Sequence, residues 1–163
     1  MSELVGQRQR AAWHEAGHAV FALANGVRVT DVGVEAHPAE IGCPAGHVTH
    51  QPLPGSDPAS GVSLELAHGC AGCAAEHIAA MNTCLSCLPD EDALTRDLAS
   101  DGIGEVPSRS DLRRADEVAR KCLKQNWLAL AAVARELAAP GHLGEEDLAR
   151  LTGGSLRGVR ERT

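Results

Sequence analysis

The sequence predicts an α+β domain, mostly helical, with a short antiparallel sheet beside its first helix. Three observations predict it. Apolar residues recur at helical spacing through most of the chain, two short alternating runs lie between residues 27 and 50, and aromatic residues make up only 2%, with one Phe, two Trp and no Tyr. A core with so few rings has to be assembled from Ala, Leu and Val, and closely approaching helices are the natural way to do it. The length, 163 residues, suits a single domain over 1–163, large enough to bury roughly two thirds of its unfolded surface.

The first helix is expected from about Gln7 to Ala24, with Ala12, Ala16, Ala19, Val20 and Leu23 as its apolar stripe. Asn25-Gly26 tolerates the left-handed conformation and marks its end. Val27–Val34 and Gly46–His50 then alternate as strands do, separated by a Pro- and Gly-bearing loop, His37–Ala45. They predict an antiparallel pair with an exposed edge, a place where an extended peptide can add by backbone hydrogen bonds. Gln51–Pro58 holds three prolines and a glycine and excludes regular structure.

A second helix is expected from about Ser60 to Ala80, built on Leu64, Ala67, Ala71, Ala74, Ala75 and Ile78, with Gly69, Ala71 and Gly72 leaving room for a neighbour. Met81–Ser108 reads as an inserted loop carrying one short helix, about Glu91–Ala99. Ser110 is a suitable N-cap for a helix over Asp111–Asn126. That helix buries Leu112, Ala115, Ala119 and Cys122, with Asp116–Arg120 and Glu117–Lys121 as surface pairs. Trp127–Ala139 and Glu145–Leu151 complete the helices, and the chain is expected to fray from Gly153. No internal repeat is present.

Charge and hydropathy narrow the function. A net charge of −7 and a pI near 5.6 argue against a nucleic-acid surface, which needs a basic face. Met1–Arg10 has no apolar run of the signal-peptide kind, and the most apolar stretch, Leu128–Ala139, is short and broken by Arg135 and Glu136. No membrane segment and a cytoplasmic location are expected. In a reducing compartment the six Cys are free thiols or metal ligands rather than disulfides.

The chemistry concentrates in His14-Glu15-Ala16-Gly17-His18, an H-E-x-x-H pattern inside the first helix. Residues four apart lie on one helix face, so His14 and His18 can hold one zinc ion, leaving positions for a third protein ligand and a water. Glu15, beside the first ligand, is placed to take a proton from that water as a general base. In a chain with 8 His the pattern arises by chance roughly 3 times in 100. The helical periodicity around it favours a metal site.

Four motifs extend the pattern. Ala12-Trp13-His14-Glu15-Ala16-Gly17-His18-Ala19-Val20 resembles the A-x-H-E-A-G-H-A-(L/V) helix of the FtsH family of zinc peptidases. Gly46–Pro54 resembles that family's G-x-T-x-x-x-L-P strand and turn, Gly72–Glu76 its G-R-A-A-E, and Ser110–Ala115 its N-D-L-x-x-A. The resemblance implies a zincin-like peptidase domain in which Asp111 is the third zinc ligand. A bottom-up alternative gives Asp111 only the task of stabilising its helix N-terminus. Glu76 is a further candidate for the metal's surroundings, as an acceptor that orients a ligand imidazole from behind. The family's Arg is Cys73 here, and no G-x-x-x-x-G-K-(S/T) nucleotide motif occurs. The implied activity is therefore ATP-independent hydrolysis of flexible or unfolded polypeptides, with zinc as cofactor and a separate ATPase or unfoldase as a further partner.

Other signals are weaker. Cys70-x-x-Cys73 and Cys84-x-x-Cys87 have the spacing of a four-cysteine zinc site, yet the first pair falls inside a helix, where Cys is an ordinary small core residue. Among the remaining histidines, His47 and His50 border the expected cleft, where either could bond substrate or a reaction oxyanion. The others read as surface or packing residues. Two alternatives to a general peptidase stand beside it: a peptidase that cuts one specific protein, and a catalytically silent peptide-binding module of the same fold.

Overall fold

A computed structural model describes residues 2–35, 46–57, 60–79, 107–153 and 156–158. Among them are five helices and a three-stranded antiparallel sheet, an α+β arrangement. Helix α1 (Ser2–Ala24) precedes β1 (Val29–Val34), β2 (Gly46–His50) and α2 (Leu64–Ile78). Helices α3 (Arg109–Gln125) and α4 (Trp127–Ala138), strand β3 (His142–Gly144) and helix α5 (Glu145–Thr152) follow. The expected loop and short helix between Met81 and Ser108 lie outside the described residues but for Pro107 and Ser108.

Helix α1 starts upstream of the expected Gln7, since nothing between Ser2 and Gln7 stops it beyond the single weak former Gly6. It ends where expected. Gly26 turns at φ 77° while the Asn25 side chain donates to Phe21 O at 2.8 Å, satisfying a carbonyl the helix leaves open. One face of α1, with Ala12, Ala16, Ala19 and Val20, is wholly buried. The two tryptophans stack, Trp13 of α1 on Trp127 of α4, at 5.3 Å between ring centres.

Gly17 brings α1 and α2 together. A Cβ there would lie 2.5 Å from the Ala71 carbonyl oxygen and 2.7 Å from Ala75 Cβ, so only glycine allows the two backbones to approach this closely. Between β2 and α2 the irregular loop is fastened at both ends. Leu53 N donates to Glu65 at 2.5 Å, and Asp57 accepts from Ser60 N and Oγ at 3.0 and 2.5 Å. That turn occupies residues expected to be helical, so α2 begins at Leu64 rather than Ser60.

Helix α3 also begins earlier than expected. Its N-cap is Ser108, not Ser110. Ser108 Oγ accepts from Asp111 N at 3.2 Å while Asp111 accepts in return from Ser108 N at 3.1 Å, a reciprocal capping box. Leu112, Ala115, Ala119 and Cys122 are buried as expected, and Arg120 pairs with Asp116 at 2.6 Å. At the α3–α4 junction the buried Asn126 donates to Cys122 O and Arg157 O and accepts from Arg157 N, each at 2.8 Å. Leu156–Gly158 is therefore docked instead of frayed.

The sheet has the order β2-β1-β3, with β3 a strand that the sequence did not signal. Three residues are too few to show alternation. Gly33 of β1 faces His47 on one side and His142 on the other. Lacking a side chain, Gly33 lets the His47 ring cross it, for a Cβ would lie 2.4 Å from that ring. His47 Nε2 then donates to Asp31 at 2.5 Å, and His142 Nε2 donates to the other Asp31 oxygen. One carboxylate thus ties both flanking strands to the central one.

Partial burial alone would raise the Asp31 pKa, but the two imidazole hydrogen bonds outweigh it and hold the group below its usual value. Its contribution to stability is therefore present above the unfolded-state value of about 3.9 and is lost as pH falls through the lower folded value. Asp31→Asn should destabilise the protein at pH 7 by about 1 kcal/mol, or ~2–4 °C in Tm. Thermal unfolding of variant and wild type should converge as the pH is taken below about 3.

Candidate metal centre

The two helices that Gly17 brings together run in opposite directions and meet along rows of residues four apart. On α1 the row is Arg10, His14, His18; on α2 it is Glu76, Gly72, His68. Arg10 Nε donates to Glu76 Oε2 at 2.5 Å, the His14 ring lies over Gly72, and the His18 and His68 rings stand 4.8 Å apart. Each residue of the motif helix thereby has a dedicated neighbour. A Cβ on Gly72 would sit 2.4 Å from His14 Nε2, so the glycine makes the space that the imidazole fills.

His14 and His18 converge. Their Nε2 atoms are 3.2 Å apart, against roughly 3.3–3.4 Å for two nitrogens bound tetrahedrally to one zinc ion at 2.0–2.1 Å. Glu76, with 0% exposure, accepts from His14 Nδ1 at 2.7 Å. That bond puts the proton on Nδ1 and leaves Nε2 as the ligating lone pair. Burial first, then the nearby His14 and His68 imidazoles, holds the His18 pKa well below its usual value. The His18 ring is thus a neutral donor, which suits zinc.

Glu15 is buried between α1 and β2, where a Cβ on Gly46 would lie 2.5 Å from Glu15 Cγ. Burial raises its pKa to about 7, and the histidines His14 and His47 offset only part of that rise. A carboxyl group with this value is suited to both accept and return a proton near neutrality. Strand β2 lies at the sheet edge, paired on one side to β1.

The other candidates separate. Asp111 is bound up in its own helix N-terminus. It accepts from Ser108 Oγ at 2.6 Å and from Arg114, and these bonds, the serine first, lower its pKa. Among the described residues no group of three His, Cys, Asp or Glu side chains is arranged to hold a metal ion. Cys70 is buried in the core, its thiol pushed up to about 12 by burial and then by Asp116, while Cys73 is half-buried on the same helix. Cys84 and Cys87 lie outside the described residues. His50 Nδ1 donates to Gln51 O at 2.7 Å, and His47 is turned to Asp31.

His68 is the site residue that sequence reasoning missed. Its signal was there in the spacing, since His68, Gly72 and Glu76 recur every four residues and form one row on α2. Among the described residues no helix is long and apolar enough to cross a membrane. No protein-family model matches the chain, and comparison with curated proteins returns no relative.

The space at Gly72 provides a direct check. Gly72→Ala should displace the His14 ring, break its bond to Glu76 and weaken zinc binding by about tenfold or more. Zinc titration monitored alongside far-UV circular dichroism should show lost affinity with helix content retained.

Proposed function

We propose that this chain is a zinc-dependent metallopeptidase of zincin-like fold, hydrolysing peptide bonds in flexible or unfolded polypeptides. The observation that carries this is the convergence of His14 Nε2 and His18 Nε2 to 3.2 Å beside a buried Glu15 whose pKa is raised to about 7. The two imidazoles fit zinc in donor type, tautomer and separation. His14 and His18 would hold the ion, with Asp111 the carboxylate that the FtsH-like pattern assigns to it. Zinc, when bound, supplies Lewis acidity toward a water and a peptide carbonyl.

The chain's own groups supply the rest. Glu15 takes a proton from the attacking water and returns it to the leaving amine. Glu76 holds His14 in the required tautomer, and Arg10 in turn compensates the buried Glu76 charge. The edge of β2 gives an extended substrate backbone a pairing surface next to Glu15. Because folded proteins keep such segments paired or buried, flexible chains are the expected substrates.

One observation favours the alternative of a silent peptide-binding module. Among the described residues the two histidines lack a third ligand, Asp111 being occupied at its helix cap. Activity separates the two. Wild type should cleave casein without ATP, stop on chelation and recover with zinc, whereas Glu15→Gln should keep its zinc and lose at least about 100-fold in kcat. If zinc-loaded wild type binds unfolded peptides yet cleaves them no faster than Glu15→Gln, the binding module is the correct assignment.

Asp111→Ala distinguishes that residue's two roles. As a ligand, its loss should sharply lower zinc content measured by atomic absorption. As a cap alone, its loss should lower the melting temperature modestly and leave the zinc content unchanged.

A further inference from the structure

The two histidines of the motif are supported unequally. His14 Nδ1 is fixed by Glu76 at 2.7 Å, but His18 Nδ1 is buried without a well-formed hydrogen bond, with only the His68 backbone acting weakly on the ring from α2. A second imidazole nitrogen, His68 Nε2, is orphaned in the same way. Among the described residues, these two and Arg8 Nε are the side-chain polar atoms left buried and unpaired. Buried polar atoms without partners are costly, and two of them on adjacent rings call for a common explanation.

The rings stand near enough that a small rotation would let them satisfy each other. Ring nitrogens stand about 1.1 Å from their centroid, so centroids 4.8 Å apart admit a nitrogen–nitrogen contact of about 3 Å. The neighbouring imidazoles are already engaged. His14 Nδ1 goes to Glu76, and His50, whose ring packs 4.4 Å from His68, spends its Nδ1–H on Gln51 O. A neutral imidazole carries one donor and one acceptor, so His18 and His68 can complement each other in either of two tautomer pairs, and a metal on His18 Nε2 selects the one in which His18 Nδ1–H donates.

We propose that His68 is the positioning residue for His18: with a metal on His18 Nε2, His18 Nδ1–H donates to His68 Nε2. This rests on the metal-site assignment above. It makes the support of the site asymmetric, with a carboxylate behind His14 and a neutral imidazole behind His18. It also links the ligand to the edge strand, since His68 packs on His50 of β2.

The experiment compares wild type, His68→Gln and His68→Leu by chelator-competition zinc affinity, with thermal unfolding of the apo proteins as a control. Glutamine places an amide oxygen near the Nε2 position and can accept the bond; leucine cannot. The expected result is a rise in zinc Kd of roughly 10- to 100-fold for His68→Leu and recovery to within about threefold of wild type for His68→Gln. Equal zinc affinity in wild type and His68→Leu, or equal loss in both variants, overturns the role of His68 and leaves the metal site standing. Wild type that binds no zinc removes the metal-site assignment and this inference with it. Nitrogen-15 NMR of zinc-loaded wild type gives the answer without a variant. His68 should carry its proton on Nδ1, and the Nε2–H tautomer refutes the bond.

Discussion

The close approach of α1 and α2 at Gly17 is the constraint on which the rest depends. Any Cβ there would run into the Ala71 carbonyl, and a backbone oxygen cannot swing aside as a side chain can. Once the helices touch, their antiparallel direction and the repeat of four set every other pairing. Arg10 falls against Glu76, His14 over Gly72 and His18 beside His68. The chemistry of the site is thus a by-product of helix packing. Only the residue types along the two rows had to be chosen.

Glu15 depends on a different neighbour. It leaves the row of histidines by one residue, about 100° around the helix, and so meets the sheet instead of α2. Gly46 makes room for its side chain at the start of β2. The position of β2 is held through β1, whose Asp31 grips His47 on one flank and His142 on the other. Glu15 therefore owes its burial to a sheet clamped from its solvent side, and His14 and His18 owe their placement to the helix pair. Two separate packing devices converge on three consecutive turns of α1.

Much of this was legible in advance, for identifiable reasons. Long periodic segments such as α1 and α3 announce themselves because burial of one face dictates their spacing. The convergence of His14 and His18 follows from the helix repeat alone. Short elements were harder. Strand β3 has three residues and no pattern of its own, so its place comes wholly from pairing with β1. Ser108 and Ser110 are equally good caps by composition, and the reciprocal bond with Asp111 selects the first. The docking of Leu156–Gly158 depends on one buried asparagine whose partners are thirty-one residues away. Glu76 was expected to meet an imidazole of the motif and hydrogen-bonds His14, whereas His68 was passed over because a histidine on an apolar helix usually only packs.

The two buried glutamates differ in what their burial is set against. Glu76 is fully enclosed, yet each of its oxygens receives a hydrogen bond, from Arg10 and from His14. Such a group repays its desolvation and fixes geometry. Glu15 is almost as deeply enclosed, at 6% exposure, and burial raises its pKa to about 7. A peptide-binding surface gains nothing from that cost, since an apolar side chain would pack against Gly46 more favourably. A buried carboxyl group with its pKa raised toward neutrality beside two converging imidazoles is suited to moving a proton. Of the two glutamates, Glu15, whose pKa burial raises to about 7, is the one that bears on the proposed catalysis.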